Sequence, residues 1–85
     1  MIENEKAVGK ITHYFDKAKV AVVEVLAPIK VGDKISIKGN TTEFEQVIDS
    51  MQVEHEKIKS AKKGQAIGLK VNQEVRIHDL IYIVS

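Results

Sequence analysis

Apolar and polar residues alternate along this chain in short runs separated by turn signals, the period-2 pattern of strands with one buried face. Residues 8–15 form the first run, in which Gly9 marks a bulge or a close backbone approach. After a polar turn at 16–19, residues 20–26 place Ala21, Val23 and Val25 on one face and Val20, Val22 and Glu24 on the other. Two such runs joined by a short turn predict an antiparallel pair. Pro28 has no N–H to give to a ladder, so the second strand ends before it or lies at an edge. Residues 34–38 form a third strand with Ile35 and Ile37 inward, between turns at Val31-Gly32-Asp33 and Gly39-Asn40.

Residues 42–53 read as a long strand with a fault in its phase. Phe44 and Ile48 occupy even positions, Met51 and Val53 odd ones. A strand that switches its inward face needs a bulge, predicted near Asp49-Ser50. Residues 54–63 are polar, with room for a helical turn. Gly64-Gln65 then leads into 66–71, where Ile67, Leu69 and Val71 alternate, and strands at 75–77 and 80–84 close the pattern. Six to seven short strands with regular turn signals and no helix-period segment predict an all-β fold rather than a parallel βαβ fold, and the bent strand favours a small closed antiparallel β-barrel.

Three stretches share a local design: Ile29-Lys-Val-Gly-Asp-Lys-Ile35, Ala61-Lys-Lys-Gly-Gln-Ala-Ile67 and Val75-Arg-Ile-His-Asp-Leu-Ile81. Each runs from an apolar residue to a basic one, through a turn pair, into a strand. Glycine at the turn permits positive φ, and His78, a residue type that tolerates it, takes that place in the third. They read as three similar turns rather than an internal repeat.

Length narrows this picture further. Eighty-five residues make one domain, here a polar lead-in over 1–6 and a single barrel over 7–85. A domain this small has to build an economical core, and Val20, Val22, Val23, Val25, Ile35, Ile37, Ile67, Ile77, Ile81 and Ile83 are the residues that supply it. The chain has no cysteine, which excludes a disulfide scaffold, a thiolate zinc site and a cysteine nucleophile. It has no apolar run long enough to span a membrane, and its acidic first residues lack a signal's hydrophobic region, so it is expected in the cytoplasm. Asn40-Thr41-Thr42 matches a glycosylation pattern but is more simply a turn.

Charge matters more by its distribution than by its total. Thirteen basic and twelve acidic residues give a net charge of +1. Between 39 and 56, however, there are five acids and no Lys or Arg, and between 57 and 73 five lysines and no acid. Lys57, Lys59, Lys62 and Lys63 form the densest cluster, a candidate phosphate-neutralising patch. Chemistry-bearing constellations are sparse. Glu54-His55-Glu56 lies in a polar loop, and His13, His55 and His78 show no metal-ligand spacing. Ser36, Ser50, Ser60 and Ser85 lack a nucleophile-elbow setting. No catalytic residue, metal site or cofactor is assigned.

Several elements, taken in order, resemble the second domain of elongation factor Tu and other translational GTPases. These are Gly9-Lys10-Ile11, Ile29-Lys30-Val31-Gly32-Asp33-Lys34-Ile35, Met51-Gln52-Val53, Ala61-Lys62-Lys63-Gly64-Gln65-Ala66-Ile67-Gly68-Leu69, and Asp79-Leu80-Ile81-Tyr82-Ile83-Val84. The resemblance implies a closed barrel standing without its GTPase partner, since no phosphate-binding loop is present. It also implies a translation-associated binding module whose partner is tRNA or ribosome-associated RNA, with Gln52 and His55 where that family contacts the tRNA end. The chain equally resembles, in outline, the C-terminal accessory barrel of collagenase-like peptidases. That alternative implies a non-enzymatic protein-interaction module, docking on a larger enzyme or on itself.

Overall fold

The computed structural model describes residues 7–84. The lead-in expected over 1–6 lies outside the described residues, as does Ser85. Ten strands follow one another without a helix among the described residues: β1 (Gly9–Phe15), β2 (Val20–Val25), β3 (Ile29–Lys30), β4 (Lys34–Lys38), β5 (Glu43–Val47), β6 (Met51–Val53), β7 (Glu56–Ile58), β8 (Ser60–Ala61), β9 (Ala66–Lys70) and β10 (Leu80–Ile83). Eight pair antiparallel in the order β5-β4-β10-β1-β2-β9-β6-β7, and β3 and β8 form a separate two-stranded ladder.

The all-β expectation holds, but the sheet is a curled, open half-barrel and not a closed one. Its edge strands β5 and β7 do not pair with each other. The opening is stitched instead by single contacts. Gln46 on β5, buried at 5% exposure, donates from Nε2 to the Lys70 carbonyl at 3.0 Å and accepts the Asn72 N–H at 2.8 Å. Backbone bonds prolong the ladders up to this point: Gly32 N–H to the Ile48 carbonyl and Ile48 N–H to the Asp33 carbonyl continue β4–β5, and Lys70 N–H to the Ser50 carbonyl continues β6–β9. A side-chain stitch of this kind leaves no trace in strand periodicity, so closure was overread.

Alternation sets the core. On β2, Ala21, Val23 and Val25 are buried while Glu24 is exposed, and on β9 Ile67 and Leu69 are buried around the outward Gly68. Ile11, Ile35, Ile37, Met51, Val75 and Ile81 complete the aliphatic interior. Ile77, however, is 51% exposed and Ile83 37%, so neither is core. Residues 75–77 alternate like a strand but belong to a turn, which carries Ile77 into solvent. Val20 and Val22 are only partly buried, on the outer face.

The phase fault in 42–53 is real, yet it is resolved by a break rather than a bulge. β5 pairs with β4, whereas β6 pairs with β7 and β9, so the chain turns a corner at buried Ile48 and crosses the opening of the half-barrel. The bulge lies elsewhere: β1 slips register against β2 between Ile11 and His13. Gly9 is a close approach, since a Cβ there would lie 2.7 Å from Val23 Cγ1. In place of a helical turn, residues 54–63 form the end of the β6–β7 hairpin and then β8.

The three similar stretches fold into the same device. At residues 30–33, 62–65 and 76–79 a four-residue turn is closed by a backbone bond from the fourth N–H to the first carbonyl. The fourth residue's side chain returns to accept the first N–H: Asp33 from Lys30 (3.0 Å), Gln65 from Lys62 (2.7 Å) and Asp79 from Arg76 (2.8 Å). The third residue has positive φ: Gly32 at 100°, Gly64 at 93°, His78 at 81°. Such turns require that conformation, which glycine adopts without strain. Nothing lies within 4 Å of a Cβ built on Gly32, so Gly32→Ala tests the backbone alone. It should destabilise by about 1–2 kcal/mol, while His78→Gly should stabilise by a few tenths to about 1 kcal/mol. Urea melts of the two variants check both signs.

Candidate functional site

The bulge in β1 decides what the outer face of the sheet carries. Ile11 pairs with Val23 and points inward; after the slip, His13 pairs with Val22 and Phe15 with Val20, so both rings face outward. They meet edge to face, with centroids 4.4 Å apart and planes at 62°. Bulges re-aim side chains in this way. Without this one, positions 13 and 15 would share the inward face of Ile11. Phe15 is consequently 51% exposed.

Beside the aromatic pair lie Val20 and Val22 of β2, then Gly68 of β9, which pairs with Val22 on one side and with Gln52 of β6 on the other. A Cβ at Gly68 would meet Val20 Cγ1 at 3.2 Å and Gln52 Cγ at 3.3 Å, so glycine leaves a floor without a side chain. An interior strand glycine of this sort marks where another backbone or a ligand approaches closely. The result is an open groove of about 380 Å³, walled by Phe15, Val20 and Val22 and reached at its mouth by Gln52, Glu54 and His55.

Those last two residues form the β6–β7 turn. Val53 pairs with Glu56, leaving a two-residue connection in which Glu54 (φ 51°) and His55 (φ 69°) are both left-handed. Two-residue hairpins need this conformation at both positions and ordinarily use Asn-Gly or similar pairs. Glu and His hold it under strain, and strain of this kind concentrates at ligand clamps and switch segments. The groove therefore combines an aromatic wall, an aliphatic side, a bare floor, and an amide, a carboxylate and an imidazole at one end. It can seat an apolar side chain of a polypeptide and hydrogen-bond the neighbouring backbone.

The residues singled out from the sequence do not converge on one site but fall in pairs at three places. Gln52 and His55 line this groove, and Lys57 stands beside Gln52 on the same outer row. Lys57 and Lys59 together border another depression, with Val31, Met51 and Ile58. Lys62 and Lys63 border a different depression on the β3–β8 ladder, with Lys30. Sequence reasoning did not single out Phe15, Val22 and Gly68 as a site. The one available signal was β2 itself, whose Val20 and Val22 make its second face apolar although that face is only half-buried. Among the described residues no group of His, Asp and Glu is gathered as metal ligands, and no helix is long and apolar enough to cross a membrane.

Residues 3–81 match the family model described as the peptidase family U32 C-terminal domain. The chain belongs to that family. An uncharacterized protease of Methanocaldococcus jannaschii is 38% identical over 79 residues, which is 92% of this chain and 19% of that protein. A collagenase of Porphyromonas gingivalis is 35% identical over 77 residues, covering 88% of this chain and 21% of that protein. The chain thus spans about one fifth of the length of these curated relatives. A crystal structure of the C-terminal domain of a Geobacillus thermoleovorans chain described as a U32 peptidase superposes with a TM-score of 0.87 at 21% identity, covering 95% of this chain and 93% of that one.

Membership of the U32 C-terminal family corrects the resemblance to elongation factor Tu, and with it the translational role and the tRNA or ribosomal RNA partner. The physical reason is visible in the fold. Val31-Gly32-Asp33 and the element around Gly64 are capped positive-φ turns followed by alternating strands. Any small antiparallel sheet built on such turns shows those residues, so they specify a turn and not a lineage.

Proposed function

We propose that this U32 C-terminal domain is a non-catalytic accessory module that holds a polypeptide in the groove over Gly68. The observation that carries the reading is the bulge-directed outer face, where Phe15, Val20 and Val22 stand beside a floor without a side chain and under a strained turn. Two further facts support it: the family is a terminal part of larger proteins, and relatives carry the names protease and collagenase, whose substrates are polypeptides. The groove suits an extended chain that places one apolar residue on Gly68 and runs its backbone past Gln52. Location in the cytoplasm is part of this reading, and the cysteine-free composition supports it.

Titrating isotopically labelled protein with gelatin, as an unfolded polypeptide probe, tests this. Amide shifts should concentrate at Phe15, Val22, His55 and Gly68. Val22→Glu places a charge on the groove wall and should weaken binding by about tenfold or more. Because Val22 is only partly buried on the outer face, that variant should stay folded. Shifts confined to other surfaces, or Val22→Glu binding like the parent, would sink the reading.

A further inference from the structure

We propose that the outer face of the β3–β8 ladder is a second binding site, for an acidic segment of a polypeptide partner. Ile29 pairs with Ala61 and Lys30 with Ser60. Ile29 and Ala61 are buried at 2% and 1% exposure, so alternation turns Pro28, Lys30, Ser60 and Lys62 to solvent. Lys30 and Lys62 are diagonal neighbours across the ladder, a relation that sets Cα atoms about 7–8 Å apart. Two lysine side chains at that separation reach a single carboxylate between them.

The backbone under both lysines is fixed. Each is the first residue of a capped turn, with Lys30 N–H bound by Asp33 and Lys62 N–H by Gln65. The ammonium groups are not spent on the protein itself, since the one ion pair among the described residues joins Lys34 to Glu45. Around them lies a depression of about 750 Å³, larger than the groove over Gly68, where Lys30, Lys62 and Lys63 stand with the single acid Asp33 beside exposed Pro28 and Ser60. The lining holds no aromatic ring for a base to stack on and no arginine fork for phosphate, which disfavours a nucleic acid. Three lysine charges beside one carboxylate complement a segment rich in Asp or Glu. The site stands apart from the groove over Gly68 and does not depend on its reading.

A fluorescein-labelled hexaglutamate peptide with an amidated C-terminus is the probe, read by anisotropy. The parent chain should bind it at low salt, and affinity should fall about tenfold as salt rises to physiological strength. The double variant Lys30→Glu, Lys62→Glu should lose about tenfold or more in affinity, while Lys57→Glu, on another part of the surface, should stay within about twofold. The exposed positions of these lysines keep the variants folded, which circular dichroism verifies. Equal binding by the parent and the double variant overturns the proposal. So does an equal loss in Lys57→Glu, which would indicate diffuse charge attraction. Displacement of the peptide by a single-stranded RNA oligonucleotide at lower concentration than by unlabelled peptide also overturns it, assigning the patch to phosphate.

Discussion

A Gln46→Leu chain will unfold at markedly lower urea concentration than the parent, with a loss of about 2–4 kcal/mol. Leucine nearly conserves volume at a site 5% exposed, so the change is not a cavity. What it removes is one donor and one acceptor. The Lys70 carbonyl and the Asn72 N–H, held at 3.0 and 2.8 Å in part-buried bonds, lose their side-chain partner. Each such group left without a partner costs on the order of 1 kcal/mol or more, the lower end of the range for buried groups. The loss should be local as well as global. Hydrogen exchange at Asn72 should accelerate most, because Gln46 is the side chain that ties β5 to the end of β9 across the open side of the half-barrel. A stability change within about 0.5 kcal/mol, typical of surface substitutions, would show that the Gln46 bridge contributes nothing to holding the open side.

Gly39→Ala should have an effect of similar size for a different reason. Gly39 does not have positive φ, so its backbone tolerates alanine. The added Cβ instead falls within the Asp79 carboxylate, against Oδ1 and 2.6 Å from Cγ. Asp79 is 3% exposed and cannot swing aside without cost. Its Oδ2 caps the Arg76 turn, and its main-chain carbonyl receives the Ile11 N–H at 2.9 Å, which continues the β1–β10 pairing. Displacement should cost about 2–4 kcal/mol, combining overpacking with loss of a charged hydrogen bond. A double-mutant cycle identifies the cause. In an Asp79→Ala background the same Gly39→Ala change should cost at least about 1 kcal/mol less, since the group it strikes is gone. Additive losses would place the strain somewhere other than this contact.

Much of the fold was legible because β-branched residues alternate where one face is buried. The spans of β2, β4, β9 and β10 follow from Ala21-Val23-Val25, Ile35-Ile37, Ile67-Leu69 and Ile81. The positive φ of His78 was legible from its match to two glycine turns. The change of phase between Ile48 and Met51 was also legible, but its consequence was not. Periodicity shows that an inward face switches, not whether the chain bulges within one ladder or leaves for another. Residues 75–77 show the opposite failure, since a turn that starts from buried Val75 reads like a strand. β7 and β8 escaped because two or three residues, each strand with a single apolar one, are too few to show a period. For the site, Gln52 and His55 entered only through the resemblance to elongation factor Tu, and they border the groove for a different reason, because β6 pairs beside Gly68. The groove they border was missed because it depends on a one-residue slip at Thr12, which sequence alternation places on the wrong face.

The pairing of β1 with β10 bears on how the chain is made. These two strands are neighbours near the middle of the eight-stranded sheet, yet they come from opposite ends of the described chain. During synthesis β1 emerges early and can pair with β2, but the β4–β5 hairpin has no place to attach until β10 has cleared the ribosome. Until then the nascent chain holds two partial sheets with exposed edges at Lys10 and Ile37, the state in which strand-edge association is most hazardous. Pairings between distant segments also form slowly, because the intervening loop must close first. The sheet therefore completes only once β10 has emerged, and the time spent with open edges sets its demand for chaperones.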